Sequence, residues 1–355
     1  MSRPVLLITN HVPPDRVGAL QALDALEGLE VAIYDGRLHH ATPGVKDPGV
    51  PSRRIGQRQA FALASSGRYR AVVATSAGRV ALPAAYLGAR RAGIPFVYWT
   101  GIWHQVATPA HLAAAPLVRW IESHADAIVA YGPHVADYVS SHGAGNVYVA
   151  PQAVDVGFWS QPVDGTALRA RLGDPGFLLA FAGRDRPGKG VAVATGAWRQ
   201  AGIDGLFALA GVEPGPAAGP GPRIQALGAL GPGELRELFA AADALVIPSE
   251  PTPSFREPWA LVANEAMLQG TAVVATDAVG AAAGGLLRDG ETGVVVPAAD
   301  SGALAAAIGR LAADPRAREA LAARGRAEAI TYDFEAWAQA FSRALESAGA
   351  GKASC

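Results

Sequence analysis

Eleven short apolar runs punctuate this chain, and the segments between them read as helices. The runs are VLLIT (5–9), LEVAIY (29–34), AVVAT (71–75), IPFVYW (94–99), AIVAY (127–131) and NVYVA (146–150). After a gap come FLLAFAG (177–183), GLFALAG (205–211), ALVIPS (244–249), AVVATD (272–277) and GVVVP (293–297). A strand that is apolar along its whole length has both faces covered, and strands alternating with helices pair in parallel. The pattern dictates an α/β fold built from doubly wound parallel sheets.

The two halves echo each other. AVVATSAG (71–78) resembles AVVATDAVG (272–280), and ADAIVAYGP (125–133) resembles ADALVIPSE (242–250). A chain of 355 residues is too long for one ordinary core. Two Rossmann-like domains are expected, 1–158 and 159–333, joined through the turn-rich stretch 151–176 and facing a central cleft. Phe334, Trp337, Phe341 and Leu345 recur at helical spacing, so residues 334–355 are expected to form a helix that packs back toward the first domain, followed by a tail.

Charge and cysteine usage exclude several classes. Formal net charge is −1, which gives no electrostatic basis for nucleic acid as a partner. The basic clusters Arg53, Arg54 and Arg58, and Arg90 and Arg91, read as solvated surface; at most, the first supports weak peripheral contact with anionic lipid. Cys355 is the only cysteine, so neither a disulfide scaffold nor a cysteine-held metal is available. The adjacent His39 and His40 fit no metal-ligand spacing. The opening MSRPVLLITNHVPP is too soon broken by proline for a signal peptide, and no run reaches the roughly 18 apolar residues of a membrane span. The expectation is a cytoplasmic protein.

Ligands in such sheets bind beyond the carboxyl ends of the strands. FAGRDRPGKG (181–190) follows one strand and precedes a helix. It approaches the P-loop pattern, but Gly190 stands where a P-loop has Ser or Thr for magnesium. What remains is a turn with Gly183 and two cations, Arg184 and Lys189, suited to a phosphate or diphosphate or, alternatively, simply exposed. In FREPWALVANEAMLQG (255–270), Pro258 predicts the first helical position, with Glu257 at the helix mouth. Glu265 would then lie roughly 12 Å along the axis and about 80° round. Carboxylates so far apart do not act as a proton pair. They either grip two ends of one elongated polyhydroxy ligand or serve as an N-terminal charge and a buried acid.

Taken together these stretches resemble the family 4 retaining glycosyltransferases of the GT-B fold. Glu257 and Glu265 stand as the family's E-x7-E, and Gly183, Arg184, Lys189 and Gly190 as its G-R-x4-K-G. RELFAAADALVIPSE (236–250), DGETGVVVPAADSGALAAAI (289–308) and PQAVDVGFW (151–159) follow its order. The resemblance implies a nucleotide-diphosphate sugar as co-substrate, UDP- or GDP-linked, bound by the second domain, with no cofactor and no metal. Arg184, Lys189 and Glu257 would be catalytic. Gly18, Gly183, Glu265, Trp259, Ala260 and Leu261 would contact the donor. The chain has no D-x-D sequence, the metal motif of the other major glycosyltransferase fold.

The chain also departs from the family. A His-Gly pair usual after the strand at 94–99 reads Thr100–Gly101 here, with His104 four residues on. Either His104 takes that place or Thr100 supplies a hydrogen bond there. The acceptor, a hydroxyl of a glycan, a lipid-linked precursor or a small aglycone, is chosen by the first domain. Trp99, Trp103 and Trp120 read either as an acceptor face or as core. Two other classes share the fold: sugar-nucleotide epimerases and non-catalytic sugar-nucleotide-binding subunits.

Overall fold

The computed structural model describes residues 3–34, 44–214 and 223–351. His39, His40 and Cys355 lie outside them. The chain divides into two compact units. One comprises Met1–Asp155 with Asp333–Cys355, the other Val156–Tyr332.

The first unit runs β1 (Val5–Thr9), α1 (Val17–Glu27), β2 (Leu29–Tyr34), β3 (Ser52–Ile55), α2 (Gln59–Ala64), β4 (Ala71–Thr75), α3 (Ala81–Ala92), β5 (Phe96–Thr100), α4 (Pro109–His124), β6 (Ala127–Ala130), α5 (Pro133–Ser140) and β7 (Val147–Val149). The strands form one sheet in the order β3-β2-β1-β4-β5-β6-β7, every pair parallel. Side chains alternate across each strand. Val5 and Leu7 therefore join Val97 and Trp99 on one face, while Leu6 and Ile8 join Phe96 and Tyr98 on the other.

The second unit runs α6 (Val156–Trp159), α7 (Thr166–Arg171), β8 (Leu178–Ala182), α8 (Val191–Ala201), β9 (Leu206–Ala210), β10 (Arg223–Gly228), α9 (Pro232–Ala241), β11 (Ala244–Ile247), α10 (Val262–Leu268), β12 (Ala272–Thr276), α11 (Gly280–Ala283), β13 (Val294–Val296), α12 (Ser301–Ala313) and α13 (Pro315–Ala329). Its six strands repeat the doubly wound order, β10-β9-β8-β11-β12-β13, again all parallel.

The last helix, α14 (Phe334–Leu345), belongs to the first unit. Asp333 caps it by accepting from the Ala336 N–H at 2.7 Å. Trp337, Phe341 and Leu345 are fully buried with Leu20 and Leu23 of α1 and with Trp99. Burying side chains of this size stabilises by about 1.5–3 kcal/mol each. Ser342 donates to Glu27 at the end of α1, whose carboxylate also receives Arg70.

Two sequence expectations are corrected. β3 (SRRI) and β10 (RIQALG) were not among the apolar runs; both are edge strands, open on one side, so neither requires a continuous apolar sequence. Arg53 is exposed, as expected of solvated surface, and on the edge strand β3 it also ion-pairs with Glu30 of β2. The helix expected at Pro258 begins at Val262.

Candidate functional site

In the second sheet the winding reverses between β8 and β11, because β8 is followed by β9 on one side and flanked by β11 on the other. The loops after these two strands therefore meet at the carboxyl edge of the sheet, the place where doubly wound folds bind ligands. Their contact is close. The Glu250 N–H donates to the Gly188 carbonyl at 2.9 Å. A Cβ on Gly190 would lie 1.8 Å from the Pro248 carbonyl oxygen, and Gly190 adopts φ +68°. Only glycine permits both the approach and the left-handed backbone.

This junction brings Lys189 onto Glu257. The ammonium donates to the Glu257 carboxylate, and Ser249 Oγ donates to the same oxygen at 3.2 Å. Glu257 is buried, its side chain 8% exposed, while that of Lys189 is 20% exposed. The glutamate's backbone is held as well. It forms a parallel bridge to Val279, and the Gly280 N–H donates to its carbonyl at 3.0 Å. Lys189 and Arg186 both approach the face of Phe255, at 5.7 and 5.2 Å from its centroid. Burial, and then the neighbouring Arg186 charge, pull the Arg184 guanidinium below its usual value. The first loop thus holds Arg184 and Arg186 near enough to disfavour each other's charge.

The segment from Pro258 to Leu261 is an irregular approach to α10, not its first turn. The axial separation expected between Glu257 and Glu265 therefore does not apply. Glu265 lies in the first turn of the seven-residue α10, 9% exposed. Trp259 is a core residue. Its indole N–H donates to Asn264 Oδ1 at 2.8 Å, and its ring packs 5.8 Å from that of Tyr332. Its side chain is committed inward. Ala260 takes φ +76°, a conformation that costs a non-glycine residue about 1–3 kcal/mol. The N–H groups of Ala260 and Leu261 donate to no backbone carbonyl among the described residues.

In the first unit, Thr100 and Gly101 fall at a strand end, whereas His104 and Gly18 do not. Thr100 closes β5 and is buried, its hydroxyl accepting from the Ile102 N–H at 3.1 Å. A Cβ on Gly101 would meet the Tyr131 ring at 2.5 Å, so the glycine is explained by that ring. His104 lies in the loop before α4, half-buried. Gly18 lies in the first turn of α1, where a Cβ would strike the Phe334 ring at 2.1 Å. Packing of α14 on α1 accounts for it. Trp99 and Trp103 are buried, whereas Trp120 is 44% exposed on α4. Sequence reasoning missed Ser249 and Phe255. A signal for Ser249 existed, since it is the first polar residue after a buried strand.

Residues 176–314, the greater part of the second unit, match the family described as Glycosyl transferases group 1. The match falls within that unit and covers less than half of the chain. The chain is similar to a D-inositol 3-phosphate glycosyltransferase of Actinosynnema mirum, with 32% identity over 290 residues, 70% of this chain and 66% of the relative. The fold is GT-B. The structure of Anabaena HepE in complex with UDP matches with TM-score 0.78 at 20% identity, covering 97% of this chain and 100% of that one. A trehalose-6-phosphate synthase, studied for glycosyltransfer with retention, matches with TM-score 0.72 at 15% identity, covering 97% and 99%.

Proposed function

We propose that this chain is a cytoplasmic, retaining and metal-independent glycosyltransferase of family 4. It takes a sugar from a UDP- or GDP-linked donor and places it on an acceptor hydroxyl. The observation that carries the reading is the Lys189–Glu257 pair, held at the winding reversal of the sheet inside the matched domain.

In this reading Arg184 and Lys189 meet the diphosphate and the charge that grows on it as it leaves. Glu257, held in place by Ser249 and its backbone bridge, accepts hydrogen bonds from hydroxyls of the transferred sugar, and Glu265 accepts from the nucleotide ribose. The sugar's bond to the diphosphate breaks while a bond to the acceptor oxygen forms on the same face. The acceptor proton passes to the departing phosphate, so no side-chain nucleophile is required. The relatives' names favour a small polyol phosphate as acceptor.

The test is a thermal-shift panel of UDP-, GDP-, ADP- and TDP-sugars, followed by turnover with and without acceptor. Donor binding stabilises the fold by mass action. One nucleotide series should raise the melting temperature, and that donor should yield a glycoside. A flat panel would overturn the donor site. An epimerised donor without glycoside would make the protein an epimerase, and binding without turnover a partner subunit.

A further inference from the structure

Between Asp47 and Glu122 the chain has nine arginines and no acidic residue, although its net charge is −1. The structure collects part of this stretch on one surface. Helices α2, α3 and α4 cover the same face of the first sheet, packing Ala60, Ala64, Leu82, Ala85, Ala89 and Ile121 against it. Their outer side is not the polar side expected of a surface helix. Leu112 is 51% exposed, Leu117 47% and Trp120 44%. Leu112, Pro116 and Trp120 recur every four residues, with Leu117 beside them, so one apolar stripe runs along α4. Phe61 on α2 and Leu87 on α3 are also exposed, and the Trp120 ring meets Tyr86 of α3 edge-on at 5.1 Å. The one acid of α4, Glu122, points inward to His142 at 2.7 Å.

The rim of this surface is cationic. Arg58, Arg79, Arg91 and Arg119 are all exposed, and none forms an ion pair among the described residues. Arg90 is spent on Asp126. Asp137 of α5 is exposed, so the acid-free surface ends at α4.

We propose that the outer side of α2–α4 docks on an anionic lipid bilayer. Exposed Leu and Trp on a helix flanked by arginine suit the boundary between acyl chains and negatively charged headgroups. The charge argues against a second copy of the chain, because a twofold contact would set this cationic rim against itself. Sixteen residues make α4 about 24 Å long, suited to lying in the interface. No helix among the described residues is long and apolar enough to cross a membrane.

Co-sedimentation of the full chain with vesicles tests this, using phosphatidylcholine alone and phosphatidylcholine with phosphatidylglycerol. The wild type should sediment only with the anionic vesicles, and less as salt rises. Arg58→Gln and Arg91→Gln should each weaken partitioning about fivefold. Leu117→Gln and Trp120→Gln should weaken it further with nucleotide binding unchanged, Leu117→Gln leaving the melting temperature unchanged as well. Absence of sedimentation with anionic vesicles, or equal partitioning of wild type and variants, would overturn the proposal. A concentration-dependent dimer that Leu117→Gln abolishes would assign the face to a second copy instead. Neither result bears on the donor site, which lies in the other unit.

Discussion

Replacing Lys189 by methionine keeps most of the side chain's bulk but leaves the Glu257 carboxylate without its ammonium. Removing one partner of a fully buried ion pair costs about 3–5 kcal/mol. Here Lys189 is 20% exposed and Ser249 Oγ still donates to the carboxylate, so solvent and one hydrogen bond soften the loss. The expected cost is about 2 kcal/mol, a fall of about 4–8 °C in the melting midpoint of a unit this size. Glu257→Gln should cost less, and the double variant less than the sum, with a coupling of about 1–2 kcal/mol. Binding should behave differently. Loss of one charge-assisted contact to the diphosphate should weaken nucleotide affinity roughly 10- to 150-fold. The double variant should regain stability without regaining affinity. Thermal melts and calorimetric titration of UDP and GDP across the four proteins provide the measurement. If Lys189→Met lowers stability but leaves nucleotide affinity unchanged, the lysine is only a structural partner of Glu257 and its donor role is refuted.

Gly190→Ala should abolish donor binding, because a methyl 1.8 Å from the Pro248 carbonyl oxygen forces the two loops apart; unchanged affinity would show that the junction is not part of the site. Trp337→Ala should destabilise the first unit by about 3–5 kcal/mol, read from urea denaturation, since it opens a cavity between Trp99 and Phe341. Burial pushes the Tyr34 hydroxyl up to about 12, so the folded state keeps a proton that the unfolded chain loses near 10. Stability should therefore fall as pH rises from 10 toward 12, and Tyr34→Phe should flatten that decline in denaturation curves taken across the window.

Much of the scaffold was legible in the sequence. Central strands such as VLLIT and LLAFA are apolar throughout because helices cover both their faces. The edge strands β3 and β10 escaped the same reasoning because an edge has only one neighbour and tolerates charge. The Gly-rich turn after β8 and the Glu257–Glu265 stretch were also legible as candidate binding elements. Their geometry was not. Pro258 is a favourable first helical residue, yet the backbone bridge from Glu257 to Val279 and the bond from Gly280 hold the chain extended there. Helix α10 waits until Val262. Trp259 likewise offered no sequence sign that its N–H would be spent on Asn264.

The sequence by itself determined two parallel sheets, their winding, and the loops that carry cations and carboxylates. These follow from hydrophobic periodicity and turn residues, which act over a few positions. Only the tertiary structure decided that Lys189 rests on Glu257, 68 positions away, and that α14, expected to return to the first domain, packs there against α1 in particular. It likewise decided that the apolar side of α4 faces outward. Such pairings depend on which strand ends the crossovers bring together and on how much sheet earlier helices have already covered. Neither quantity is written in any local stretch of residues.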